Sequence, residues 1–204
     1  MQFALRLTNT VLIVFSGIAF GVLAMTGVVA GVLFPTMHTL NPTLPAYGAY
    51  SGAHWSLAAG IIAERIFDIG FVIVGVSFGI CWSSVLVLVF MSRRYGFPVL
   101  RLMVLGVVSS IFLFHIGSVQ PAMNRAATAY RAAALAGDTE RAAQAKARFD
   151  ALHPTASNLI ISSTMGMLAL FLFSTWAASG GAGVLSLSAQ PKAGHGETGS
   201  GGDA

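Results

Sequence analysis

Residues 159–178 carry no charged side chain, whereas the alanine-rich stretch before them, 139–152, is studded with charges. Water solvates the second stretch and rejects the first, so the chain changes solvent at His153-Pro154. Proline is well tolerated in the first turn of a helix, where its missing N–H has no partner to lose. A membrane span over 155–178 follows. Three more uncharged runs, 11–34, 69–91 and 102–120, are long enough to cross a bilayer at about 20 residues per span. The first far exceeds the ~7–15 residues of a signal-peptide core, which marks it as a retained helix. The composition agrees: 55% of residues are hydrophobic and 9% charged, against about a quarter charged in soluble domains.

The connections can be read in the same terms. Pro35 is expected to close the first span. Residues 37–52 contain Pro42, Pro45, Tyr47 and Tyr50, which suit an ordered non-helical loop at a membrane–water boundary. Residues 54–66 read as a separate helix at the rim, because Glu64, Arg65 and Asp68 would be costly inside lipid. Arg65 and Asp68 stand three apart and are placed to pair. After the third span, Gly137-Asp138 breaks a helical hairpin over 121–152, with Asp138 or Thr139 as the cap of the returning helix. Ala142, Ala145, Phe149 and Leu152 give that helix one apolar face. Such a hairpin would extend about 20 Å beyond the third and fourth spans. The Gly/Ser-rich residues 179–204 have no apolar period and read as a disordered tail.

These segments predict an all-α fold: an integral membrane four-helix bundle within residues 1–178, its long helices protruding on the extracytoplasmic side. Four crossings bring both termini to one side. Arg93, Arg94 and Arg101 crowd the short turn on that side, which places the termini in the cytoplasm and suggests a bacterial inner membrane. Gly17 and Gly21, Gly27 and Gly31, and Gly75 and Gly79 repeat the small-xxx-small spacing that brings helix backbones together. Span hydroxyls such as Ser77, Ser109 and Thr164 are expected to join helices. Cys81 reads as a small buried hydrophobe. The lipid bilayer is the first partner and other membrane proteins the second. Nucleic acid is excluded by the lack of a basic stripe with interleaved aromatics.

Chemistry is sparse. The spans hold no Asp, Glu, Lys or Arg between their ends, which speaks against a proton-driven pump. No nucleophile–histidine–acid arrangement, phosphate loop or H-E-x-x-H motif is present, so the protein is read as not an enzyme. His38, His54, His115 and His153 all belong to the outer end of the bundle, with Met37 and Met123 at the same level. Imidazole with thioether suits copper. His115 lies about 7 Å deeper than His153, which keeps the pair from sharing one haem iron. The function expected is a non-enzymatic structural or interaction protein of the membrane; the alternative is copper handling at a histidine-rich rim.

Phe149, Leu152, His153, Ser157 and Asn158 form an F-x-x-L-H-x-x-x-S-N pattern opening the last span, and Leu33-Phe34-Pro35 closes the first. On these residues the chain resembles the transmembrane protein 205-like family of four-span proteins, a domain of unknown function. The resemblance implies a four-helix membrane bundle and little chemistry; the eukaryotic member is associated with platinum-drug resistance. The proline-rich loop and His54-Trp55 depart from the family pattern.

Overall fold

The computed structural model describes residues 2–91 and 96–179. It contains α1 (Gln2–Leu40), a 3-10 turn (Pro45–Tyr47), α2 (His54–Met91) and α3 (Gly96–Phe114). A π-helical turn (His115–Val119) joins α3 to α4 (Gln120–Leu135), and α5 (Thr139–Ala178) returns. Four helical rods result, each long and apolar enough to cross a membrane. At 1.5 Å per residue each is nearly 60 Å long, about twice the thickness of a hydrocarbon core. The protein is therefore an integral membrane four-helix bundle whose rods continue well past the apolar layer. α1 packs on α2 and α5, and α3 packs on α2 and α5, so the rods form a closed ring of antiparallel neighbours.

The rods are less interrupted than the sequence suggests. α1 does not stop at Pro35 but runs to Leu40. The stop is Asn41, which adopts φ +42° and donates its N–H to Met37 O at 2.9 Å. Asparagine tolerates the left-handed conformation that ends a helix, and Pro42 after it cannot continue one. Likewise 54–66 is not a separate rim helix but the start of α2. Arg65 and Asp68 are both exposed, and among the described residues they form no ion pair. Pro154 sits inside α5 rather than in its first turn, which belongs to the hairpin. There Asp138 is the cap, its Oδ1 accepting from Arg141 N–H at 3.0 Å. Gly137 makes the turn with φ +73°. Most of the expected tail, 180–204, together with Arg93 and Arg94, lies outside the described residues.

Packing is tight in the half holding the chain's N-terminus, around Leu12, Leu23, Val74, Val85, Leu105 and Met167. Cys81 belongs to this core and is fully buried. Phe78 stacks on Phe112 at 5.1 Å and Phe71 meets Phe112 edge-on at 6.2 Å. Lipid gives helices no hydrophobic reason to associate, so this interlocking carries the fold. Span hydroxyls do little of it. Ser77, Ser83, Ser110 and Thr164 donate back to the carbonyl four residues earlier in their own helices. An inter-helix bond is made by Trp82 Nε1–H to Ser109 Oγ at 2.9 Å.

Close packing at glycine also differs from the expected spacing. Of the six glycines in the small-xxx-small pairs, only Gly17 faces a neighbour, with Phe171 3.3 Å from where a Cβ would stand. Gly21, Gly27, Gly31, Gly75 and Gly79 have nothing within 4 Å of that position. The tight crossing is at Gly166, where a Cβ would run into Val108.

At the opposite end a second cluster, including Tyr50, Leu57, Tyr130, Ala134 and Ala142, ties the loop 41–53 to the hairpin. Tyr50 and Tyr130 share a hydroxyl hydrogen bond of 3.2 Å, and Tyr130 also bonds Ser56 at 2.9 Å.

Candidate functional site

Between the tight core and the tyrosine cluster all four rods line one cavity of about 360 Å3. Its height coincides with three prolines. Phe34, Gln120 and His153, each directly before a proline (Pro35, Pro121 and Pro154), all line it. A proline inside a helix removes an N–H bond and presses on the carbonyl four residues back, which loosens that turn. With three of the four rods loosened at one level, the side chains do not close over the bundle axis.

Pro121 also explains the π turn. Its ring would press on the carbonyl of Gly117, and the widened turn His115–Val119 absorbs that pressure, with Gln120 N–H bonding His115 O five residues back. Turns of this kind are often found at functional sites. Here it sets His115 at the deep end of the cavity, 1% exposed, with Phe71 edge-on at 5.3 Å. Among the described residues, neither ring nitrogen of His115 has a hydrogen-bond partner. A buried polar group left unpaired is rare in a folded chain and marks a position that packing alone does not explain.

Above His115 the wall becomes charged. Arg131 on α4 forks onto Glu64 on α2, both about a quarter exposed. Lys146 bonds Asp150 at 2.6 Å on α5. Asp150 and His153 line the cavity and are themselves exposed, so the cavity opens past this stripe of α5. Gln120 Nε2–H donates to Asn124 Oδ1 at 3.0 Å. The remaining wall is mostly apolar.

The four sequence-predicted histidines part company. His54 is a staple for the loop: its Nδ1 accepts from Leu44 N–H at 3.0 Å, so its Nε2–H donates to Tyr50 O at 2.8 Å. With both nitrogens engaged, it offers no lone pair to a metal. His38 meets Trp55 edge-on at 4.8 Å. His115 and His153 do share the cavity, and Met123 lines it with them. Among the described residues no three His, Cys, Asp or Glu side chains gather into a group that could hold a metal ion.

Of the residues behind the family resemblance, Phe34, Phe149, His153 and Ser157 line the cavity. Phe149 and Leu152 pack on the Val119–Met123–Ala156 cluster, while Asn158 and Pro35 are exposed. The sequence reading did not single out Glu64–Arg131 as a pair or Gly60 as cavity wall. Pro121, with glycine four residues before it, was the available signal for the widened turn. Comparison with protein-family models, with curated proteins and with solved structures finds no match to the chain.

Proposed function

We propose that the protein is a non-enzymatic binding protein of the membrane, taking up a largely apolar small molecule between its four helices. One observation carries this: a buried imidazole with both nitrogens unpartnered, set by a π turn into a mostly apolar cavity. The volume falls within the range of small-molecule sites, roughly 300–1,000 Å3. Native mass spectrometry of protein extracted in mild detergent tests the reading. A bound mass in the wild type that is lost in Gly60→Leu supports it; identical spectra refute it. Gly60 lines the cavity and has open space where a Cβ would stand, so a leucine there is placed to take up cavity volume.

Copper handling is a second reading, favoured by His115, His153 and Met123 sharing one cavity. Elemental analysis of the same preparation separates the two, since only copper handling predicts metal that disappears in His115→Leu. The mouth of the cavity is taken to face away from the cytoplasm of a bacterial inner membrane. Support comes from the three arginines that the sequence crowds into its short turn, of which Arg101 is buried and bonded to Asn9 Oδ1 at 2.8 Å. We propose membership of the transmembrane protein 205-like family on the sequence motifs F-x-x-L-H-x-x-x-S-N and Leu33-Phe34-Pro35 alone. Gly75 and Gly79, exposed and with no described residue within 4 Å of where a Cβ would stand, are the surface left for association with other membrane proteins.

A further inference from the structure

We infer that the ligand is an extended amphiphile with an uncharged head group: a hydroxyl, ester or carbonyl on a hydrocarbon chain. This inference rests on the binding role proposed above and narrows it. The cavity is tall for its volume. Its wall on α2 runs from Trp55 to Phe71 and on the third rod from His115 to Arg131, about 24 Å of height in each case. A volume of about 360 Å3 drawn out over that height suits a chain lying along the bundle axis better than a compact ring system.

The charges decide the head group. The wall contains two carboxylates, Glu64 and Asp150, and two cations, Arg131 and Lys146, and each is already paired with one of the others. Their sum is zero. A carboxylate or phosphate entering the cavity would meet no free counter-charge, and it would face two carboxylates after giving up its water. An ammonium would fare no better. Neutral hydrogen-bonding capacity, in contrast, is left over. The Gln120–Asn124 bond uses one amide group of each residue and leaves Gln120 Oε1 and Asn124 Nδ2 without a protein partner among the described residues. About 7 Å below Gln120, His115 carries its two unpartnered nitrogens. A neutral imidazole provides one donor and one acceptor, the complement of a hydroxyl; its N–H alone also suits the acceptor oxygen of an ester or carbonyl.

Trp55 lines the cavity and reports on its contents. The chain has three tryptophans, so Trp82→Phe with Trp176→Phe leaves Trp55 as the only tryptophan, excited apart from the tyrosines at 295 nm. This variant is placed in phosphatidylcholine nanodiscs. It is titrated with two probes sharing one dibrominated C18 chain: the monoacylglycerol, and the free fatty acid at pH 8. Gly60→Leu on the same background supplies the baseline for quenching from the surrounding bilayer, and Ala127→Leu replaces it should the first fail to fold. The monoacylglycerol should quench Trp55 above that baseline at a concentration at least ten-fold below the fatty acid. Equal or tighter binding of the fatty acid overturns the uncharged head group but keeps the binding role. Quenching by neither probe above baseline removes the binding role itself.

Discussion

Arg131 on α4 grips Glu64 on α2 with both ends of its guanidinium, Nη2 donating to Oε1 at 3.3 Å beside the shorter Nη1–Oε2 contact. The two residues stand 67 positions apart, and their bond spans the cavity wall in the half of the bundle where apolar packing is thinnest. Each is just over a quarter exposed, between the solvated pairs that contribute under about 1 kcal/mol and the buried pairs whose rupture costs 3–5. Glu64→Ala should therefore destabilise the protein by about 2 kcal/mol. The double variant with Arg131→Ala should cost less than the two single changes added together, by about 1 kcal/mol. Unfolding in detergent followed by circular dichroism measures the cycle, and strict additivity would contradict the pairing.

Gly166 separates the packing seen here from the packing that glycine spacing suggests. A methyl there must displace Val108, and overpacking of this kind costs about 1–3 kcal/mol. Gly166→Ala should lower the unfolding midpoint. Gly75→Leu and Gly79→Leu should leave it unchanged and act, if anywhere, on self-association measured by analytical ultracentrifugation.

His115 should behave as a residue kept against stability. Its imidazole is buried with neither nitrogen paired, a state that costs about 1–3 kcal/mol. His115→Phe is expected to raise the midpoint of unfolding while weakening uptake of the monoacylglycerol probe. A fall in stability with uptake intact would assign His115 to packing alone.

Tyr50 gives the hairpin clasp a pH limit. Burial first, and then the hydrogen bond with Tyr130, push its phenol from 10.0 up to about 12. The folded state thus holds this proton more tightly than the unfolded chain does. The resulting stability is fully present below pH 10 and is lost as pH rises from 10 to 12. Thermal unfolding across that window should show the decline in the wild type and a shallower one in Tyr50→Phe.

Much of the fold was legible because lipid imposes a simple rule: an uncharged run long enough to cross must be helix. The same rule hid the continuity of the rods. Pro35 and Pro154 read as boundaries, yet the helices pass through both, held by neighbours on either side, and the true stop is the left-handed Asn41. Glycine spacing did not locate the close contacts between the described helices, because Gly75 and Gly79 share a face that turns away from them. The sequence grouped the histidines at one level, but depth and partners divide them: His54 is consumed by the loop, whereas His115 stands near the middle of its rod, unpaired among the described residues. No spacing rule reveals that Glu64 meets Arg131, since contact between residues so far apart in the chain depends on how the rods close into a ring.

An open cavity reached from the α5 stripe is the claim on which the rest depends. It is tested by the reaction rate of a single cysteine at Ala127, which lines the cavity, with a small impermeant thiol reagent. The buried Cys81 is replaced by alanine, and a cysteine at the exposed Ser51 serves as reference. Labelling of Ala127→Cys from the same side as Ser51→Cys, suppressed by adding Gly60→Leu, is the predicted result. An unreactive Ala127→Cys, or one that Gly60→Leu leaves equally reactive, would contradict it.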